Sequence, residues 1–296
     1  MASFLRLLRG KWYPPADPTI SFAAKTVLVT GSNVGLGFEA ANKYVALGAS
    51  RVILAVRNVD KGTKAKEEIS RRHGNATATR IDVWNLDMDS FASVAAFAGR
   101  VDREVERLDV ALLNAGLVMR AFQKSSEGWE ETMQVNVLST ALLALLLLPK
   151  LRASKSREGK PPHLAIVSSG LHTAVKRDQL GDGGALLAYA NDPENFVGQR
   201  QYSISKLFVM YVTHALAALA TSPSGEVEVV VTSCCPGFCT SDLGRQYDSW
   251  IERNGLWLFH GLFARSTEAG SRTLVSATAL GPEAHGKWWK DDVFPA

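Results

Sequence analysis

The chain has 296 residues, of which 46% are hydrophobic and 21% charged, an ordinary composition for a soluble globular protein with a full core. Its formal charge of +4 is scattered among opposite charges and forms no basic block, which argues against a nucleic-acid partner while suiting an anionic small molecule. No Pro/Gly-rich linker divides the chain, so a single α/β domain over residues 25–296 is expected behind an N-terminal arm, residues 1–24.

In the arm, Phe4, Leu5, Leu7 and Leu8 interleave with Arg6, Arg9 and Lys11. A short basic helix on a membrane surface or a partner subunit fits this pattern. An arm packed on its own domain is the preferred reading, because the apolar part is too short to span a bilayer or to serve as a signal segment. From Lys25 onward, apolar runs of strand length alternate with segments of helical period, the signature of βαβ units. Strands are expected at Thr26–Thr30, Arg51–Val56, Ala76–Asp82, Asp109–Asn114, His163–Ser168 and Glu226–Ser233. Consecutive apolar positions in several of them predict a parallel sheet covered on both faces. The expected fold is therefore a doubly wound, Rossmann-type domain with about seven strands. Phe91, Val94, Ala98, Val101, Val105 and Leu108 recur at helical steps and predict a core-facing stripe. Ala141–Leu148 reads as a buried helix end before Pro149. The rhythm breaks at residues 170–201 and 243–266, both after strand ends, so both are expected to be substrate loops.

The first strand runs into Gly31-Ser32-Asn33-Val34-Gly35-Leu36-Gly37. Glycines at a strand-to-helix turn permit a tight bend, let the backbone approach a pyrophosphate and bring a helix N-terminus to the anion. Nothing resembles the Gly-Lys-Ser/Thr ending of a P-loop, which removes triphosphate chemistry from consideration. The second strand ends in Arg57-Asn58. An acid there would bind the adenosine ribose and repel a 2′-phosphate, whereas an arginine can pair with that phosphate, so Arg57 points to NADP(H). The alternative is a solvated arginine with Asp60 turned toward the ribose.

Tyr202 and Lys206 stand at i and i+4 on a segment of helical period, one turn apart on the same face. A substrate carbonyl that accepts hydride must be protonated as it becomes an alkoxide. A tyrosine hydroxyl suits that role if a nearby ammonium lowers its pKa of about 10. Cys234, Cys235 and Cys239 lie in one short segment, which fits reduced thiols better than a disulfide framework, and no CxxC pair or neighbouring histidine supplies zinc-ligand spacing.

Thr30-Gly31-x-x-x-Gly35-x-Gly37, together with Tyr202-x-x-x-Lys206, resembles the short-chain dehydrogenase/reductase superfamily from about Phe22 to Leu280. The Val-Arg-Asn ending of the second strand and the Ser-Lys-Leu after the tyrosine are most similar to retinol-dehydrogenase-like reductases and fungal relatives associated with secondary metabolism. The resemblance implies a cofactor cradle of Gly31, Asn33, Gly35, Leu36 and Gly37, with Asp82-Val83 closing the third strand beside the adenine. It implies Asn114-Ala115-Gly116 at the adenosine ribose and Pro236-Gly237 over the nicotinamide. Ser241 is implied at the carboxamide, with Thr240 one place early. It also implies a catalytic group of Ser169, Tyr202, Lys206 and Asn136, the last through a backbone-held relay water. A satisfied buried amide is the other reading of Asn136. The interval from Ser169 to Tyr202 exceeds the family's usual spacing and holds an insertion, Lys176 to Gln199.

Three functions stay open: NADPH-dependent reduction of a ketone or aldehyde on a small, fairly apolar substrate; the reverse alcohol oxidation; and nucleotide binding without turnover. Intact Ser169, Tyr202 and Lys206 argue against the third. Trp250, Trp257, Phe259 and Phe263 read equally as pocket walls or as a surface for a partner or membrane. A cytoplasmic location is expected, and by the resemblance a homo-oligomer through the helices near Glu127–Lys150 and Tyr202–Ala220.

Overall fold

The computed structural model describes residues 10–74, 78–155, 160–181, 184–240 and 263–295. Seven strands form one parallel sheet in the order β3-β2-β1-β4-β5-β6-β7, with the reversal of direction between β1 and β4. The strands are β1 (Thr26–Thr30), β2 (Arg51–Val56), β3 (Arg80–Asn85), β4 (Val110–Leu113), β5 (His163–Val167), β6 (Val230–Cys235) and β7 (Trp288–Lys290). The helices are α1 (Gly35–Ala46), α2 (Val59–His73), α3 (Phe91–Glu104), α4 (Glu131–Ala153), α5 (Leu186–Ala190), α6 (Gly198–Leu219) and α7 (Thr267–Ala277). Within α4, Gln134–Ser139 winds as a π-helix.

Alternate residues of each central strand feed two cores, as the pleat requires. Leu28, Ile53, Ala111, Leu113 and Ile166 pack with residues of α3, α4 and α6 on one face. Val27, Val29, Leu54, Leu112 and Val167 pack with residues of α1, α2 and α7 on the other. The stripe on α3 is buried at Val94, Ala98 and Val101, with Phe97 joining it, and continues beyond the helix at Val105 and Leu108. Among the described residues, two helices, Glu131–Ala153 and Gly198–Leu219, are long and apolar enough to cross a bilayer, yet 67% and 61% of their apolar windows are buried in the domain. The run Ala141–Leu148 is only partly interior, since Leu145 and Leu146 face outward at 46% and 41% exposure.

Two expected strand positions are corrected. The third strand begins and ends later than expected, at Arg80–Asn85, and residues 75–77 lie outside the described region. The sixth also runs later, Val230–Cys235, because 226 and 227 belong to a turn in which Thr221 bridges Val227. Beyond the six strands located from the sequence, β7 pairs with β6, Cys235 opposite Lys290. It reverses through Asp291 and Asp292, at φ 51° and 58°, and Val293 N–H returns to the Lys290 carbonyl at 3.1 Å. A two-residue turn of that hand normally uses Asn-Gly, so Asp-Asp carried little turn signal.

Candidate active site

Parallel strands deliver their C-terminal ends to one edge of the sheet, and the turns after β1, β4, β5 and β6 meet there. At the first, Gly31 and Gly35 take left-handed backbone, φ 64° and 62°. Gly37 is required by contact: a methyl group on it would lie 2.4 Å from Asn114 Nδ2 and 2.5 Å from the Gly31 carbonyl oxygen. Asn114 locks the turn by donating from Nδ2 to the Thr30 and Gly31 carbonyls at 3.0 and 3.3 Å. The Asn114 and Ala115 amides both donate to the Thr30 hydroxyl at 2.9 Å. No side chain caps the start of α1, and its first turn carries no acid. The Ser32 hydroxyl is buried without a hydrogen-bond partner among the described residues. Unsatisfied donors over a glycine turn fit a pyrophosphate. Asn33 is half-buried there, while Leu36 packs toward Gly270 of α7.

Arg57 is exposed just beyond β2, and its charge acts on Asp89 and Glu131, both pushed up mainly by burial. Asp82 is not at a strand end. It pairs with Ile53, which is level with Leu28, two residues below the turn. Its carboxylate is held by Arg51 at 2.7 Å and Arg80 at 3.0 Å, and Val83 packs against the core on the α1 face. The residues that continue the edge level of Thr30 and Val56 are Asn85, Leu86 and Asp87. Misplacing the strand by a few residues hid Asp87, which also accepts a hydrogen bond from the Asp89 amide at 3.0 Å.

The loops after β4 and β5 bring the reactive groups together. A methyl group on Gly116 would stand 3.1 Å from Asn136 Oδ1 and 3.7 Å from Lys206 Nζ, so the Asn114-Ala115-Gly116 turn reaches both. Tyr202 and Lys206 share one face of α6, with the ammonium 5.6 Å from the phenol ring centroid. Lys206 Nζ donates to the Val167 carbonyl at 2.8 Å. Burial lowers its pKa to about 8. Burial pushes the Tyr202 phenol up, with Cys235 adding to the rise and a hydrogen bond to Ser169 offsetting part of it. The expected lowering of the phenol pKa is thus reversed in direction, burial being the main cause.

The choice between the two serines is structural. Ser168 is buried with its hydroxyl toward the Met210 sulfur at 3.5 Å, whereas Ser169 is half-buried and meets Tyr202. The Asn136 side chain is a saturated amide: Oδ1 accepts from Leu117 N–H at 2.9 Å, and Nδ2 donates to the Leu117 carbonyl and to Ser205 Oγ at 2.9 and 3.1 Å. Ser205 in turn donates to the Tyr202 carbonyl at 2.7 Å, which ties the π segment of α4 to the catalytic turn of α6. Gly237 has φ 78° in the turn after β6. Thr240 Oγ1 donates to the Arg265 carbonyl at 3.1 Å, and Ser241 lies outside the described residues, as do Trp250, Trp257 and Phe259. Phe263 is buried.

Sequence reasoning missed three further groups. Cys235 lies beside Lys206 and Tyr202 with its sulfur accepting from Gly170 N–H at 3.2 Å. Glu130, fully buried, accepts from the Thr132 and Met133 amides and from Gln201 Nε2 at 2.8 Å, one residue before Tyr202. Arg265, also buried, donates to the Pro236 and Gly10 carbonyls and pairs with Asp291 at 2.5 Å. None of these residues stands in a recognisable local pattern.

The family model for short chain dehydrogenase matches residues 25–170. The short-chain dehydrogenase/reductase phmF of Phaeosphaeria nodorum is 46% identical over 280 residues, covering 94% of this chain and 81% of that protein. The short-chain dehydrogenase/reductase ffsI of Aspergillus flavipes is 44% identical, over 95% of this chain and 81% of its own length. Among solved structures, a short chain dehydrogenase from Shigella flexneri complexed with NADP superposes with a TM-score of 0.65 at 20% identity, covering 93% of this chain and all of that one. An NAD(P)-dependent gluconate 5-dehydrogenase of Beutenbergia cavernae with bound NADP gives a TM-score of 0.67 at 22% identity, covering 93% and 98%. With the parallel sheet, the glycine turn and the Ser169–Tyr202–Lys206 cluster already in place, the extent of these fungal likenesses identifies the chain as a member of the short-chain dehydrogenase/reductase family, an oxidoreductase family.

Proposed function

We propose that this oxidoreductase uses NADPH to reduce a ketone or aldehyde on a small, fairly apolar molecule, with Tyr202 as general acid. The carrying observation is the pairing of Tyr202 with a buried Lys206 on one face of α6, the ammonium 5.6 Å from the phenol ring and bonded to the Val167 carbonyl, at the sheet edge shared with the glycine turn. The cofactor would be held by the Gly31–Gly37 turn, Asn114-Ala115-Gly116, Lys206 and Pro236-Gly237, with Arg57 on the 2′-phosphate and Asp87 near the adenine. When bound, NADPH supplies the hydride. Ser169 donates a hydrogen bond to the substrate oxygen, and Tyr202 Oη releases its proton to that oxygen as charge develops. Lys206 stabilises the phenolate left behind, and its bond to the Val167 carbonyl fixes its position. The π segment at Asn136 is the route by which a backbone-held water would resupply the proton.

The location is proposed to be cytoplasmic, and the assembly a homo-oligomer through α4 and α6, where Leu145, Leu146, Tyr211 and Leu219 are exposed. Light scattering checks the latter. The central test is NADPH and NADH consumption with a carbonyl panel, repeated with Arg57→Asp. Reduction that prefers NADPH, with the preference lost in the variant, supports the proposal; nucleotide binding without reduction of any carbonyl ends it.

A further inference from the structure

Beyond the reducing group itself, the edge strand β7 carries unassigned polar chemistry. Trp288 and Lys290 are two residues apart and therefore point to the same face of the sheet. Trp289 takes the other face, where it donates to Ser276 of α7 at 3.0 Å. The register sets Trp288 opposite Ser233 and Lys290 opposite Cys235. Ser233 directs its hydroxyl to Met210 of α6, and Cys235 lies against Lys206 and Tyr202, so the Trp288–Lys290 face is the catalytic one. The ammonium of Lys290 approaches Gly170, the neighbour of Ser169: a methyl group on that glycine would be 3.4 Å from Nζ. Nζ also lies 5.7 Å from the Trp288 ring centroid.

Among the described residues, neither side chain is tied down by a hydrogen bond or an ion pair. Trp288 Nε1 is buried with no acceptor among the described residues. The acids next to Lys290 in sequence are engaged elsewhere, Asp291 by Arg265 at 2.5 Å and Asp292 by the Ala16 amide at 2.8 Å. His172 completes the wall, edge-on to Trp288 at 4.6 Å between centroids, its ring fixed by Nδ1–H donating to the Ser169 carbonyl at 2.6 Å. A buried donor left unmade is costly, and a lysine beside it with no ion pair among the described residues suits an anion.

We propose that Lys290 and Trp288 form an anchoring subsite for a carboxylate carried on the substrate's own skeleton, one residue removed from the carbonyl-binding Ser169. A carboxylate fits because its two oxygens accept from the ammonium and the indole N–H at once, while His172 and the Trp288 ring flank an aromatic or other flat skeleton. The proposal rests on the carbonyl-reductase reading only for the identity of the ligand as substrate.

The test compares 4-acetylbenzoate with its methyl ester by isothermal titration calorimetry and by reduction kinetics on the full chain. The acid should bind about tenfold more tightly than the ester, the effect of one charge-assisted pair. That ratio should collapse in Lys290→Met, persist in Lys290→Arg and shrink in Trp288→Phe. Equal affinities in the unaltered protein, no binding of the acid at millimolar concentration, or a ratio that survives Lys290→Met would each overturn the subsite. Selective binding of the acid with no reduction of either compound would sustain the subsite and overturn the reductase reading; reduction of both with equal KM would do the reverse.

Discussion

At the residue scale, the proposed chemistry and its sensitivities rest on Tyr202 and Lys206. Tyr202→Phe keeps the ring and removes the proton, so kcat should fall by about a thousandfold with nucleotide affinity little changed, as single-turnover kinetics and nucleotide titration will show. Lys206 sets a pH limit. Burial lowers its pKa to about 8, so reduction should decline as pH rises through about 8 and the ammonium is lost. Stability moves the opposite way. Native Lys206 holds its proton less tightly than the unfolded chain does, so between about pH 8 and the ordinary lysine value of 10.5 the contribution of Lys206 to stability rises with pH. Denaturant unfolding at several pH values should show the stability of the native sequence rising relative to that of Lys206→Met across this window. Most of this site was legible from residue types at fixed spacing, because Tyr202 and Lys206 are local to one helix and the glycines to one turn. The upward shift of the phenol was not, since desolvation depends on what surrounds it.

At the element scale, two contacts decide how the pieces seat. The glycine turn closes only because Gly37 has no side chain. Gly37→Ala forces its methyl into the Asn114 amide and the Gly31 carbonyl, and should destabilise by about 1–3 kcal/mol while weakening nucleotide binding, read by thermal unfolding with and without NADPH. The insertion is seated by a buried carboxylate. Glu130 joins the start of α4 to Gln201 on α6, Gln201 reaches the Ala190 carbonyl of α5, and Asn191 accepts from the Glu130 amide at 2.7 Å. Glu130→Ala strands four donors that it now satisfies, Thr132 N–H and hydroxyl, Met133 N–H and Gln201 Nε2, and should cost about 3 kcal/mol in denaturant unfolding. The sequence showed that an insertion existed between Ser169 and Tyr202, from length alone. Where it docks depended on a glutamate, a glutamine and an asparagine far apart in the chain, none of which advertises its partner.

At the scale of the molecule, Gly10–Asp17 and Asp291–Asp292 meet near the turn after β6. Arg265, its side chain 3% exposed, gathers the Gly10 carbonyl, the Pro236 carbonyl and Asp291, while Lys43 pairs with Asp17 of the arm and Glu268 of α7. The described part of the arm is thus tied to the domain at Gly10 and Asp17, while Trp12 and Tyr13 are exposed; Phe4, Leu5, Leu7 and Leu8 lie outside the described residues. Asp291→Ala leaves a buried guanidinium without its carboxylate and should destabilise the fold by about 3 kcal/mol, measured by the unfolding midpoint. By itself the sequence determined the α/β class, the glycine turn, both faces of the central strands and the Tyr202–Lys206 pair, because each is encoded in residues close along the chain. Only the tertiary structure decided which serine faces the phenol, why Asp82 belongs to an ion pair and not to the cofactor edge, and that a three-residue strand brings Trp288 and Lys290 to the catalytic face. Those facts depend on strand register and on burial, which are set by distant segments competing for the same space.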